Sequence, residues 1–294
     1  MKICVIGGAN ADITATSSSM FVPGDSNPGK VRISFGGVAR NVAHNLALLG
    51  DEVHLLTVFG SDSLAERLRE HCIRSGILLE GSETVPGASQ SMFLSINSPE
   101  GEMLGGVADM AILDRMDQEW ISARMGLIND SDAVVADANL SAGSLSSLIG
   151  CCRPPVFVDA VSCAKAPRIG EALALATGGL PAGKQAIAAI KCNSAEEGML
   201  GIFGNGLSEA VGRIYVSQGR SGLKVIEKGR ESHFPALECK VVNTTGGGDA
   251  LLAGIVHMGK DADVSDAARA GLLCARCAVS SADAVNEGIK NLRI

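Results

Sequence analysis

In the run Asn243-Thr244-Thr245-Gly246-Gly247-Gly248-Asp249, three glycines stand directly before an acid, and an Ala/Leu-rich stretch follows through Gly254. Glycines in series let backbone N–H groups approach an anion closely, and the N-terminus of the helix behind them favours negative charge. A carboxylate beside such a cradle is electrostatically awkward unless it is used. Taking the proton from a hydroxyl that attacks a phosphoryl group is such a use. On spacing alone a second reading stays open, in which Asp249 caps the helix.

Other clusters offer complementary chemistry. Gly36 and Gly37 precede a helical stretch that carries Asn41 one turn in. Paired glycines let a polyol approach backbone, and an asparagine supplies both a donor and an acceptor for hydroxyl groups. Asn10 and Asp12 lie just past the first apolar run, where a parallel strand would end and where open α/β sheets bind ligands. Read singly, each is equally well a turn residue or a cap. The first run, Val5-Ile6-Gly7-Gly8-Ala9-Asn10, lacks the G-x-G-x-x-G spacing, which argues against a dinucleotide loop and a nicotinamide-dependent oxidoreductase. Asn193-Ser194-Ala195-Glu196 and Ser217-Gln218-Gly219-Arg220-Ser221-Gly222 each follow an apolar run and have the character of nucleotide-site turns.

The elements that must carry these residues follow one theme. Short β-branched runs at Lys2 to Ile6, Val53 to Phe59, Ala133 to Asp137, Val156 to Asp159, Ala186 to Lys191 and Arg213 to Ser217 read as strands buried on both faces. Helical stretches lie at Val38 to Leu49, Ser63 to Ser75, Ser141 to Ile149 and Ser194 to Phe203. Such alternation implies right-handed crossovers and an α/β fold with a mostly parallel sheet covered by helices on both faces. Two segments, about 13–34 and 89–108, break the theme with Ser, Pro and Gly or with short alternation. They are expected to form a small β lid over a single domain spanning 1–294.

Composition narrows the function. With 294 residues, 46% of them hydrophobic and 19% charged, the chain can bury a substantial core, which excludes a disordered or fibrous protein. A net charge of -7 and 3% aromatics give neither the basic footprint nor the stacking platforms of a nucleic-acid binder. A small ligand is the expectation instead. No stretch approaches the roughly 18 apolar residues of a membrane span, and the N-terminal run lacks a signal cleavage site, so a cytoplasmic location is expected. The 9 cysteines suit buried reduced thiols, with Cys274 and Cys277, and the vicinal Cys151 and Cys152, in structural roles.

Taken in order, GGVARN at Gly36 to Asn41, N-x-x-E at Asn193 to Glu196, S-x-G-x-x-G at Ser217 to Gly222 and NTTGGGDALLAG at Asn243 to Gly254 resemble the signatures of the ribokinase-like (PfkB) family of sugar and nucleoside kinases. Within it, GGANADI, DSNPGK from Asp25, DANLS from Asp137 and FVDAVSCAK from Phe157 are most similar to the pseudouridine-kinase branch. The resemblance implies ATP-dependent phosphorylation of a nucleoside ribose 5′-hydroxyl. Asp249 would be the base and the N–H groups of Gly246, Gly247 and Gly248 the anion hole. Asn10, Asp12, Gly36, Gly37, Asn41 and Asn139 would hold the ribose. Asp25, Asn27 and Asp109 would reach toward the base, and Lys165 would point into the site. ATP would lie along Asn193, Ser217, Gly219, Gly222, Thr244 and Asn286, with Mg2+ held through water by Glu196. A K+ ion would be held by Asn243, Thr245 and Ser280. Pairing of lids would make a homodimer.

Three departures accompany the resemblance. Cys192 stands where the family usually has Pro, Gly247 where Ala is common, and Asn243 replaces a frequent Asp and so weakens the case for K+. Other acceptors within the family, namely ribose, a purine nucleoside or a ketohexose, and a non-catalytic sensor on the same fold, remain alternatives.

Overall fold

A strand that is apolar at every position needs cover on both faces, and the chain provides it with two helical layers. The computed structural model describes residues 1–176, 185–203 and 206–294. The first part holds β1 (Lys2–Ile6), β2 (Asn10–Ser17), β3 (Gly29–Gly36), α1 (Val38–Leu48), β4 (Glu52–Leu56), β5 (Val58–Phe59), α2 (Ser63–Arg74), β6 (Ile77–Leu78) and β7 (Glu83–Thr84). There follow β8 (Met92–Asn97), β9 (Met103–Asp109), α3 (Gln118–Ala123), α4 (Met125–Asn129), β10 (Ala133–Asp137), α5 (Ala142–Cys151), β11 (Val156–Asp159) and α6 (Pro167–Ala176). The remainder holds β12 (Ile187–Asn193), α7 (Ser194–Glu197), β13 (Val211–Ser217), β14 (Leu223–Glu227), β15 (Arg230–Phe234), α8 (Gly247–Met258) and α9 (Val264–Val279).

The main sheet runs in the order β15-β14-β13-β12-β11-β10-β1-β4-β6 and is parallel from β6 to β13. Period-two alternation splits β1 between two cores. Ile3 and Val5 pack with Val42, Leu46, Leu251 and Ile255 of α1 and α8, while Cys4 and Ile6 join Ile121, Leu145 and Ile169 of α3, α5 and α6.

Two expected elements are corrected. The strand expected from Val53 to Phe59 breaks at Thr57, after which β5 leaves the main sheet to pair with β7. The helix expected from Ser194 to Phe203 is a single turn; Gly198 and Gly201, the latter at φ 67°, lead the chain down so that Leu200 and Ile202 are buried. The sheet also gains an antiparallel edge, β14 and β15, joined through Lys228 and Gly229, both with positive φ as a tight hairpin turn requires. Among the described residues no disulfide joins two cysteines, but Cys151, Cys163 and Cys239 are exposed, not buried.

A second sheet, ordered β3-β2-β8-β9, is built from the two segments read as a lid. Its two faces differ in character. Asp12, Thr14, Arg32, Ser34, Phe93, Ser95 and Asn97 line a cleft, whereas Val31, Leu94 and Val107 are exposed to solvent. Among the described residues no helix is long and apolar enough to cross a membrane.

Candidate active site

The carboxyl ends of β1, β10, β11, β12 and β13 meet along one edge of the main sheet, and each ends in a polar residue or a glycine turn. In register, Asp137 stands opposite Asp159, Asp159 opposite Lys191, and Asn193 opposite Ser217. Asp137 is buried and accepts N–H bonds from Gly8 at 3.0 Å, Ala39 at 3.1 Å and Asn139 at 3.0 Å. Burial pushes its pKa up, and the bonds from Gly8 and Asn139 oppose that. The carboxylate thereby fastens the turn after β1 to the start of α1.

That fastening brings the first glycine motif against Asp12. Asn10 and Asp12 lie within β2, neither in a turn nor at a cap, and Asn10 Nδ2 donates to Asp12 Oδ1 at 2.5 Å. A Cβ on Gly36 would fall 2.0 Å from Asp12 Oδ2, and one on Gly37 would fall 2.3 Å from the Gly8 carbonyl oxygen. Burial raises the Asp12 carboxyl to about 6, opposed by Arg40 and by the Asn10 bond. The Arg40 guanidinium, itself buried, donates to the carbonyls of Phe35 and Gly36.

The second glycine motif meets the first through Asp249. The N-cap of α8 is Gly246, which has no side chain to cap with, and Asp249 sits inside the first turn without capping it. The helix-capping alternative is thereby excluded. Its Oδ2 instead accepts from Asn41 Nδ2 at 2.7 Å in a buried bond between residues 208 apart in the chain. Burial raises Asp249 to about 7; Asp159 adds to the rise, while Lys191, Asn41 and Arg40 oppose it. Lys191 lies 3.2 Å from Asp159 Oδ2 and is itself buried. Burial alone would lower its pKa, but Asp159, Asp249 and Glu196 outweigh that and hold it charged. A Cβ on Gly248 would stand 2.5 Å from Lys191 Nζ, so the ammonium rests on the glycine backbone at the start of α8.

The flanks are more varied. Asn139 accepts a hydrogen bond from Lys165, and its amide lies against Gly8, so both residues stand beside the turn that leads into Asn10. Asn193 and Glu196 lock each other in a capping box: Glu196 accepts from the Asn193 N–H at 2.9 Å and from its Nδ2 at 2.8 Å. Ser217 Oγ donates to the Cys192 carbonyl at 3.2 Å, keeping it beside Asn193. Gly219 and Gly222 form the turn between β13 and β14. Thr244 receives the Gly247 N–H at 3.3 Å, so one of the three glycine donors is already engaged.

Several expected site residues have their polar groups committed elsewhere. Asn27 bonds to Val22 and Asp25 within the β2–β3 connection, and Asp25 accepts from the Ser26 N–H. Asp109, at the end of β9, is exposed. None of the three lines the cleft under the second sheet. Asn286 caps Gly288 and donates to the Cys277 carbonyl at 2.7 Å. The Asn243 amide spans Ala282 and Thr245, and the Ser280 hydroxyl donates to Cys277.

The cleft encloses about 770 Å3 between the second sheet, α1 and the segments around 243–245 and 282–287. Asp137, Asp159, Lys191 and Arg40 were not singled out from sequence. For the first three the signal was present: each places a charge at or near the end of a strand whose other residues are apolar.

A mostly parallel α/β sheet whose strand ends gather a buried acid, a glycine-rich helix N-terminus and the polar side chains of Asn10, Asp12 and Asn41 defines the class of ribokinase-fold phosphotransferases. The chain matches the model of the pfkB family carbohydrate kinases over residues 1–290, and it belongs to that family. It is 32% identical to a pseudouridine kinase of Escherichia coli (strain K12) over 267 residues, covering 86% of this chain and 82% of that protein. A carbohydrate kinase from Agrobacterium tumefaciens matches with a TM-score of 0.81 at 25% identity, over 99% of this chain and 95% of that one. For a ribokinase from Thermotoga maritima the TM-score is 0.80 at 18% identity, over 98% and 97% of the two chains.

Proposed function

We propose that the chain transfers the γ-phosphoryl group of ATP to the ribose 5′-hydroxyl of pseudouridine. The observation that carries this reading is the buried Asn41–Asp249 bond, which joins the first glycine motif to the glycine turn of α8 at one atom pair. Similarity to the E. coli pseudouridine kinase supports the acceptor.

Asp12, held by Asn10, accepts the two vicinal ribose hydroxyls, while Gly36 and Gly37 let the sugar ring approach backbone. Asn41 Oδ1 is buried without a hydrogen-bond partner among the described residues, and a ribose hydroxyl would satisfy it. Asn139 and Lys165 close the side next to Gly8. Asp249 takes the 5′-hydroxyl proton, for which a pKa near the working pH is well matched. ATP supplies the transferred group, and Mg2+, when bound, would offset part of its charge. Gly246 and Gly248 present backbone to that group, and Lys191 adds a buried positive charge behind Gly248. The Glu196 carboxylate, oriented by Asn193, suits Mg2+ held through water. Ser217, Gly219, Gly222 and Thr244 border the nucleotide. Asn243 and Ser280 are spent on chain contacts, so no step is assigned to K+. The apolar outer face of the second sheet, with Val31 71% and Val107 68% exposed, suits a homodimer.

The test is turnover of purified protein with ATP and a panel of pseudouridine, uridine, ribose, adenosine and fructose. Pseudouridine is expected to give the highest kcat/KM, and ribose or adenosine exceeding it overturns the acceptor. Asp249→Asn is expected to lower kcat by at least about 10²-fold while nucleoside binding, read by calorimetry, changes little. An unchanged kcat removes Asp249 from the mechanism.

A further inference from the structure

The second sheet and the 282–284 segment, which seats the glycine turn, belong to different walls of the cleft, and an ion pair crosses between them. Arg32, on β3, pairs with Asp283, 251 residues later in the chain. Asp283 stands between two residues that brace the catalytic turn. The Ala282 carbonyl accepts the Asn243 amide at 3.1 Å. The Ala284 carbonyl oxygen lies so close to Gly246 that a Cβ there would be 1.9 Å away. Gly246, at φ 80°, is the N-cap of α8, three residues before Asp249. A force on Asp283 is therefore felt by the segment against which the turn is seated.

We propose that Arg32 is a positioning residue: by pairing with Asp283 it ties the second sheet to the 282–284 segment and so holds the Gly246–Gly248 turn in its working geometry when the sheet covers the substrate. This rests on the kinase reading above. The pair joins the two long walls of the cleft, which Arg32, Asn243, Thr245, Asp283 and Ala284 all line. Both side chains are more than half exposed, 57% and 63%, so the pair contributes little to folding and its removal leaves the protein intact. Its effect is expected on the turnover step, because Asp283 is flanked by Ala282 and Ala284, which contact Asn243 and Gly246 on the approach to Asp249.

The experiment measures kcat and nucleoside KM separately for wild type, Arg32→Ala, Asp283→Ala and the charge-exchanged Arg32→Asp/Asp283→Arg protein, with thermal melts of all four. Each single variant is expected to lose about 3- to 5-fold in kcat, the upper range for an exposed pair, with KM changed less than 2-fold and Tm unchanged. The exchanged protein is expected to recover most of the kcat loss, as direct coupling requires. Single variants with wild-type kcat, a loss confined to KM, or an exchanged protein no better than the singles each overturn the proposal. Wild-type protein that transfers phosphate to no acceptor overturns the kinase reading instead, which separates the two failures.

Discussion

At the scale of single residues, the site is an arrangement of buried charges that control one another. Lys191 is flanked by Asp159 and Asp249, and its positive charge makes two carboxylates tolerable in one dry region. Lys191→Met leaves them unpaired and is expected to cost about 3–5 kcal/mol of stability, measurable by urea denaturation. The two raised acids give separate pH signatures. Asp12 and Asp249 must both be ionised to act, so kcat/KM falls as pH drops, with slope one below about 7 and slope two below about 6. In Asp12→Asn the residual activity keeps the break near 7 and loses the second. A wild-type profile flat down to pH 5 excludes both carboxylates from these roles. Of these residues, Asp249 and Asn41 were legible because each follows a glycine motif, and Asp12 because it lies just past the first apolar run. Arg40 was not, because an arginine on an amphipathic helix reads as solvent-facing until the fold buries it.

At the scale of elements, turns decide the geometry. Gly246 is required twice over, by its φ of 80° and by the Ala284 carbonyl pressed against it. Gly246→Ala therefore displaces the turn, and a shift of that size is expected to lower kcat by about 10²-fold with little change in nucleoside KM, as steady-state kinetics would register. The one-turn helix α7 illustrates the opposite case, where a whole element was overestimated. Ser194 to Phe203 has helical composition, but Gly198, Gly201 and the burial of Leu200 and Ile202 end the helix early. Its functional content survives in the capping box, which orients Glu196.

For the whole molecule, the second sheet separates a polar face over the site from an apolar face open to solvent. Val31, Leu94 and Val107 alternate in strand register with Arg32, Ser34, Phe93 and Ser95, so one set of strands serves both faces. Val31→Lys with Val107→Lys is expected to convert a dimer to a monomer in sedimentation velocity. Wild-type protein that sediments as a monomer removes the need for a partner on this face.

The sequence by itself determined the α/β class, most of the parallel strands and the two glycine motifs, because strand periodicity and glycine spacing are local signals that do not depend on what lies across the sheet. Tertiary structure alone decided that Asn41 meets Asp249, that Lys191 lies between two acids and that Arg32 reaches Asp283. Those contacts join residues from 32 to 251 positions apart. Which charges are buried together, and hence which pKa values move, depends on the order in which the strands assemble, and no local pattern encodes that order.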